Sequence, residues 1–433
     1  MKLYDIFQKH PTISIDSRNC PQGCMFFALK GDNFDANAFA LSALENGAAY
    51  AVIDNKQYDA DERFVLVEDV LKTLQSLATY HRKLLQTTII GITGTNGKTT
   101  TKELIASVLK ERYNIHYTKG NLNNHIGVPL TLLQLKPEHE IAIVEMGANH
   151  RGEIKFLSET ALPDFGIITN VGKAHLEGFG SFEGVMKTKA ELYDFIFTHG
   201  KKIFINTGNG YLMEMAKKSG FLTNKKMIPY QTGNKNNTLQ TTGKILLCNP
   251  LLKLECFIQD EILEIQTRLI GTYNTENVLA AVAVGSYFNV ENLLIKKGLE
   301  SYTPQNNRSQ LTITVNNQVV VDAYNANPTS MQAAISNFSQ MELNNKTLIL
   351  GDMLELGEKS QEEHQKIVDL LKENYFSDVI LIGANFSNTK NDYICYKNVE
   401  SLKEYLSKNP IKNRFVLLKG SHGIHLEKII ENL

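Results

Sequence analysis

The chain has 433 residues, 42% hydrophobic and 21% charged, with a formal net charge of −1 at pH 7. That length exceeds one ordinary core and calls for two to four domains. The even charge balance, without long single-sign runs, argues against nucleic acid or an anionic membrane as the main partner.

The opening segment has no apolar core of signal-peptide length, and no apolar run is long enough to span a bilayer, so a cytoplasmic location is expected. Five cysteines agree with a reducing compartment. Cys20 and Cys24 lie close together, but Cys248, Cys256 and Cys395 supply no second pair, so thiols are expected rather than a zinc site.

In residues 1–83, strand-like runs at Met25–Leu29, Tyr50–Ile53 and Phe64–Val67 alternate with Gly-, Asn- and Asp-rich turns. A helical pattern over Val70–Leu85 follows. A small N-terminal α/β domain is predicted there.

Residues 84–305 alternate strands and helices, the pattern of a mostly parallel sheet. The β-branched run Thr87–Ile90 leads into Gly-Ile-Thr-Gly-Thr-Asn-Gly-Lys-Thr-Thr-Thr, residues 91–101, after which Leu104, Ile105, Val108 and Leu109 share one helix face. A Gly-rich strand-to-helix turn directs backbone N–H groups at an anion, and the helix N-terminus adds partial positive charge. Gly94, Thr95, Asn96, Gly97, Lys98, Thr99 and Thr100 therefore form a predicted nucleoside triphosphate loop. Lys98 would face the β/γ-phosphates, and Thr99 would supply an oxygen to Mg²⁺. The usual spacing places a further glycine where this chain has Ile92. The apolar runs Ile141–Val144 and Gly166–Thr169 end in Glu145 and Asn170, and strand ends are where ligands lie in such sheets. Residues 225–270 read as an antiparallel excursion, and Glu276–Phe288 as a buried helix.

The polar stretch at 303–310 marks the second boundary, with residues 306–433 as a C-terminal Rossmann-like α/β domain. Leu311–Val315 and Val319–Asp322 flank Asn316-Asn317, a hairpin signal. Asn327 caps a helix with Pro328 in its first turn and Met331, Ile335 and Phe338 inward. Thr347–Leu350, Val379–Ile382 and Phe415–Leu418 read as strands. Ser360 with Glu363 fits a capping box for a helix running to Leu371.

Six ordered blocks carry a more specific signal: TGTNGKTT (Thr93–Thr100), GNLNNHIGVPLTLL (Gly120–Leu133), VEMGANHRGEI (Val144–Ile154), TNVGKAHLEGFGS (Thr169–Ser181), DAYNANP (Asp322–Pro328) and LGDMLELGE (Leu350–Glu358). Together they resemble the ATP-dependent Mur ligases of peptidoglycan synthesis. The last two, with Lys419-Gly420-Ser421, look most like the branch that adds D-alanyl-D-alanine. Other amide ligases of the superfamily, the third-amino-acid-adding enzymes and folylpolyglutamate synthetases, are the alternative. A nucleotide switch or a dead binding module would need only the loop.

The resemblance implies three domains around one site and an acyl-phosphate route, in which ATP activates the terminal carboxylate of a UDP-N-acetylmuramoyl-tripeptide for attack by the amine of D-Ala-D-Ala. It implies Mg²⁺ at Thr99 and Glu145, and a second metal at His175 and at Lys189, the latter carried as a carbamate. Lys187 is the neighbour most easily confused with Lys189. Lys98, His175 and Lys189 are the implied catalytic residues. Asn274 and Asn277 would contact adenine, with helix capping as their bland alternative. Arg308 would reach the ATP phosphates, and Asp322 and Tyr324 would close over the nucleotide, with Asp322 on the ribose. Asp352 stands at a neighbouring strand end. Ser17, Arg18 and Lys30 would hold the UDP moiety, in a segment that continues through Asp32 and Phe34. Asn123, Asn124 and Asn325 would bind the muramoyl peptide or the incoming dipeptide, with Lys419 and Ser421. His125 and His422 stand where relatives often differ. Closure of the third domain would shield the acyl phosphate from water, with D-Ala-D-Ala binding last. Nothing in the chain demands a dimer, so a monomer is expected.

Overall fold

A computed structural model describes residues 2–60, 62–174, 176–235, 239–305 and 307–433. Three main sheets follow one another along the chain. The first has four parallel strands in the order Ile13–Ser14, Met25–Phe27, Tyr50–Ile53, Phe64–Leu66. Its second and third strands are almost wholly buried, so they read as continuous apolar runs rather than alternating ones. The helix Val70–Leu84 starts at Asp69, whose side chain accepts from Lys72 N, and carries Leu74, Leu77 and Ala78 into a core shared with the second sheet. On its far end Arg82 pairs with Asp164 at 3.1 Å and His81 bonds Leu135 O at 2.9 Å, tying the first sheet's layer to the next.

The second sheet has nine strands. From one edge these are Glu261–Ile270, Leu251–Ile258, Thr241–Cys248, Met227–Thr232, Lys202–Asn206, Phe165–Ile168, Thr88–Thr93, Ile141–Glu145 and Ile115–Tyr117. The excursion expected over 225–270 is antiparallel only in part. Met227–Thr232 and Thr241–Cys248 pair in parallel, and the next two strands meander antiparallel to extend the same sheet. Thr88–Thr93 lies centrally, and its register sets Ile92 beside Glu145 and Thr93 beside Ile168. The helices Lys98–Leu109 and Thr275–Tyr287 cover one face, packing Leu104, Ile105, Val108 and Leu109 against Val278, Ala281 and Val282.

The third sheet runs Gln310–Ile313, Gln318–Asp322, Phe415–Lys419, Lys346–Gly351, Val379–Ile382, Ile394–Tyr396, with only the first pair antiparallel. Its two faces hold separate apolar cores. The helix Pro328–Gln340 begins with a reciprocal capping box between Asn327 and Ser330, as Asn-Pro led us to expect, with Met331, Ile335 and Phe338 buried. The capping box expected at Ser360 is not made. Gly357, at φ +55°, admits a short turn at Gly357–Lys359 that runs directly into Ser360–Glu373. Ser360 therefore falls inside the helix and its hydroxyl lies 3.3 Å from His364 Nδ1. Among the described residues no helix is long and apolar enough to cross a membrane.

Candidate active site

The loop after Thr88–Thr93 is shaped by two glycines. Gly94 has φ +143°, and a Cβ there would fall 2.0 Å from Thr169 Oγ1. Gly97 has φ +77°, and a Cβ there would meet Asn277 Oδ1 at 2.6 Å. Both positions combine a left-handed backbone with a close approach that excludes side chains. Ile92 needs no such freedom, because it is buried within the strand and contributes to the core. Lys98 Nζ donates to Gly94 O at 2.8 Å and Thr95 O at 3.1 Å, which curls the loop around the ammonium. Burial lowers the Lys98 pKa, Glu145 opposes that shift, and Arg308 adds to it.

Glu145, 1% exposed, ends its strand beneath the loop. Its Oε1 accepts from Thr99 Oγ1 at 3.1 Å and from Asn123 Nδ2 at 2.9 Å. Its Oε2 is buried without a hydrogen bond and faces Lys102 Nζ at 3.5 Å. Lys102 is wholly buried, also 3.3 Å from Glu103, and its Nζ likewise makes no hydrogen bond. A hydroxyl and a carboxylate with a spare lone pair are the hard oxygen donors that Mg²⁺ selects. The chain therefore fits the metal at Thr99 and Glu145. Among the described residues no three His, Cys, Asp or Glu side chains converge on one point.

Lys189, on the helix Phe182–His199, is 3% exposed, whereas Lys187 two residues earlier is exposed. The helix turns the first of these into the cleft and the second to solvent, separating the two lysines that the sequence left adjacent. Lys189 Nζ lies 5.5 Å from the Phe179 ring centroid. Burial chiefly, reinforced by the charge of Lys98, brings its pKa down to about 7. His175 lies outside the described residues.

Asn274 and Asn277 are buried and bonded to each other, Asn277 Nδ2 donating to Asn274 Oδ1 at 2.8 Å. Asn274 Nδ2 turns back to Ile270 O at 2.8 Å, and Asn277 Oδ1 accepts from Thr101 at 3.0 Å. Asn274 occupies the cap position of Thr275–Tyr287 without making a side-chain cap. The capping alternative is thus absent, and the pair buttresses the phosphate loop.

From the third sheet, the Arg308 guanidinium stacks 3.5 Å from the Tyr324 ring centroid. Asp322 and Lys419 end neighbouring strands in register, and their side chains pair at 2.6 Å. Asp322 Oδ1 also accepts from Ser309 N at 3.3 Å. Lys419 donates to Asn325 O at 3.4 Å, so its ammonium supports this corner of the site. Ser421 is turned inward. Its hydroxyl accepts from Leu354 N at 2.9 Å and contacts Ala326 O at 3.4 Å, and it does not line the cleft. Asp352 is also internal, accepting from Asn385 N and Phe386 N. His422 is exposed, edge-on to Tyr324 at 5.9 Å.

One cleft of about 1140 Å³ joins these groups. Gly94 through Thr100, Asn123, Asn124, His125, Glu145, Lys189, Asn274, Asn277, Arg308, Asp322, Tyr324, Asn325 and Lys419 all line it. Asn124 spends its Oδ1 on Ile126 N and Gly127 N, holding the turn before that short helix. Ser17, Arg18 and Lys30 are not brought to the cleft. Arg18 folds onto Asp16 with two 2.9 Å bonds, and Lys30 pairs with Asp54 at 2.7 Å. Sequence reading missed Lys102, although Lys102, Ile105 and Leu109 recur at the spacing of one buried helix face. It also read Asn327 only as a cap, whereas its Nδ2 donates to Asn96 Oδ1 at 2.8 Å.

Comparison with known proteins matches residues 11–82 to the Mur ligase family catalytic domain, 92–285 to the Mur ligase middle domain, and 307–422 to the Mur ligase glutamate ligase domain. The chain is 34% identical to the UDP-N-acetylmuramoyl-tripeptide–D-alanyl-D-alanine ligase of Bacillus subtilis, over 97% of this chain and 92% of that one. It is 30% identical to the Escherichia coli protein of the same name, over 97% and 93%. Among solved structures, MurF from Acinetobacter baumannii superposes with a TM-score of 0.84 at 29% identity, covering 98% and 93%. MurF ligase from Thermotoga maritima in complex with ADP gives 0.83 at 27%, covering 97% and 96%.

Proposed function

The chain belongs to the Mur ligase family, and we infer that it uses ATP to join D-alanyl-D-alanine to UDP-N-acetylmuramoyl-tripeptide, forming the UDP-linked pentapeptide precursor of peptidoglycan. The observation that carries the site assignment is the single cleft in which the phosphate loop, Glu145 and Lys189 face Arg308, Asp322 and Tyr324.

A carboxylate does not condense with an amine in neutral water, so the reaction begins with transfer of the γ-phosphoryl group to the tripeptide's terminal carboxylate. Both partners are anions, and catalysis is chiefly positioning and charge neutralisation. Lys98 and the backbone of Gly94–Thr100 hold the triphosphate, and Arg308 reaches it from the third sheet, its guanidinium kept flat by Tyr324. Thr99 and Glu145 would hold Mg²⁺, which would supply positive charge to offset that of the phosphates. Lys189, and His175 by resemblance to the family, would hold a second metal. A lysine with a pKa near 7 is substantially the free amine at neutral pH, the form that adds CO₂ to give a carbamate. Asp322, braced by Lys419, takes the ribose, and Asn274 and Asn277 face the adenine.

Once the acyl phosphate has formed, the D-Ala-D-Ala amine attacks its carbonyl and inorganic phosphate departs with one oxygen of the original carboxylate. Asn123, Asn124 and Asn325 line the part of the cleft open to the peptides. Ser17, Arg18 and Lys30, together with Phe34, lie outside the cleft in a layer bounded near residue 84, where the UDP moiety would extend. Residues from about 306 onward form the closing layer. ATP and a UDP-linked peptide as substrates fit a reaction in the cytoplasm, carried out by a monomer.

The test is phosphate release from ATP with purified UDP-muramoyl tripeptide, with and without D-Ala-D-Ala. Stoichiometric release that requires both substrates is expected. Turnover with D-Ala alone, or with a free amino acid on a shorter UDP peptide, would contradict the assignment.

A further inference from the structure

Asn327 joins two layers of the site with a single side chain. Its Oδ1 accepts from Ser330 N at 2.9 Å and caps the helix Pro328–Gln340. Its Nδ2 reaches the tip of the phosphate loop, donating to Asn96 Oδ1 at 2.8 Å. Asn96 is itself pinned. Its backbone N–H donates to Asn170 Oδ1 at 3.0 Å, while its carbonyl accepts from Thr169 Oγ1 at 2.6 Å and Asn170 Nδ2 at 3.1 Å. Asn327 is 7% exposed, whereas Asn96 is half-buried at the wall of the cleft, so the bond is anchored on its Asn327 side.

Neighbouring contacts run the same way. Thr329 Oγ1 accepts from Lys173 N at 3.2 Å, Lys173 Nζ pairs with Glu363 at 3.3 Å, and Asn337 Oδ1 accepts from Thr272 N at 2.9 Å. All connect helices of the third sheet to loops at the strand ends of the second. Of these, the Asn96–Asn327 bond alone touches the phosphate loop.

We propose that Asn327 is a positioning residue, a latch that couples closure of the third layer to the conformation of the phosphate loop. It rests on the ligase reading above. The same amide that starts the helix fixes where that helix stands relative to the loop, so Arg308, Asp322 and Tyr324 are brought over the nucleotide only when Asn96 is in place. The proposal separates two functions of one side chain. The cap uses the acceptor Oδ1, and the latch uses the donor Nδ2.

Substitution can divide them. Asn327→Asp and Asn327→Ser each keep an oxygen that caps the helix but lose the amide donor, whereas Asn327→Ala loses both. The latch predicts melting temperatures near wild type for the Asp and Ser variants. It predicts kcat lowered by on the order of tenfold, as for loss of about one hydrogen bond, with KM for the UDP tripeptide little changed. Small-angle scattering with Mg²⁺ and a non-hydrolysable ATP analogue should give a larger radius of gyration for these variants than for wild type. Combining Asn96→Ala with Asn327→Asp should produce no further loss beyond the more damaging single change. Wild-type kcat and scattering in the Asp and Ser variants, with loss confined to Asn327→Ala, would overturn the latch and leave a cap alone. Strict additivity with Asn96→Ala would overturn it even if the variants were destabilised. The scattering arm needs no ligation product, so it tests the latch separately from the substrate assignment.

Discussion

Lys102 Nζ stands 3.5 Å from Glu145 Oε2, with both atoms sealed from solvent and neither making a hydrogen bond. The pair sits directly behind the phosphate loop. Lys102 belongs to the helix that the loop starts, and Glu145 to the adjacent strand. Lys102 backs one oxygen of this buried carboxylate, and the other oxygen is turned to Thr99.

Removing one member of such a pair strands the other. Lys102→Met, close in volume, should lower the unfolding free energy by about 3 kcal/mol or more. It should also raise the Mg²⁺ concentration needed for half-maximal activity. Because Mg²⁺ bound at Glu145 replaces part of the missing charge, Mg²⁺-nucleotide should stabilise the variant more than it stabilises wild type. Denaturant unfolding with and without Mg²⁺-ADP checks this, and wild-type stability for Lys102→Met would refute it.

Lys189 carries the second chemical prediction. Its burial and its pKa near 7 favour the neutral amine that reacts with CO₂. Protein equilibrated with ¹³C-bicarbonate at pH 8 should show a carbamate carbon signal that is absent from Lys189→Ala and fades below pH 7. Lys189→Ala should lose activity on the order of 100-fold, the scale of removing one charged partner of the transition state. Formate or acetate should restore part of it. Lys187→Ala should behave as wild type, since that side chain faces solvent.

His116 sets a pH dependence of stability away from the cleft. Its ring stacks on His139 at 5.2 Å, and its Nε2 is buried without a partner. Burial first, then the charges of His139 and Lys119, bring its pKa down from 6.5 to about 4. The unfolded chain therefore takes up this proton at a higher pH than the folded one. The stability contributed by neutral His116 is fully present above pH 6.5 and is lost as pH falls through that value toward 4. Replacing His116 with Phe should flatten the decline of unfolding free energy between pH 6.5 and 4, measured by denaturant titration against wild type. An unchanged slope would contradict the assignment.

Much of this arrangement was legible in the sequence, for identifiable reasons. The phosphate loop and Glu145 declare themselves because local rules apply: glycines at a strand-to-helix turn, and an acid closing an apolar strand. Asn327 was readable as a cap for the same reason. Its second bond was not, because Asn96 lies 231 residues away and only the fold brings them together. Arg18 and Ser421 show the converse. A motif names a side chain but not what it touches, and here Arg18 folds onto Asp16 and Ser421 onto Leu354 N and Ala326 O. Lys102 was hidden by its charge, which reads as surface despite its place on a buried helix face.

The central claim is that ATP activates the tripeptide carboxylate for attack by D-Ala-D-Ala. It is tested most directly with UDP-muramoyl tripeptide labelled with ¹⁸O in its terminal carboxylate. Mass spectrometry of the products should find one ¹⁸O in the released phosphate and the other in the new amide of the pentapeptide. Phosphate free of ¹⁸O, or pentapeptide formed with release of AMP and pyrophosphate, would contradict the account.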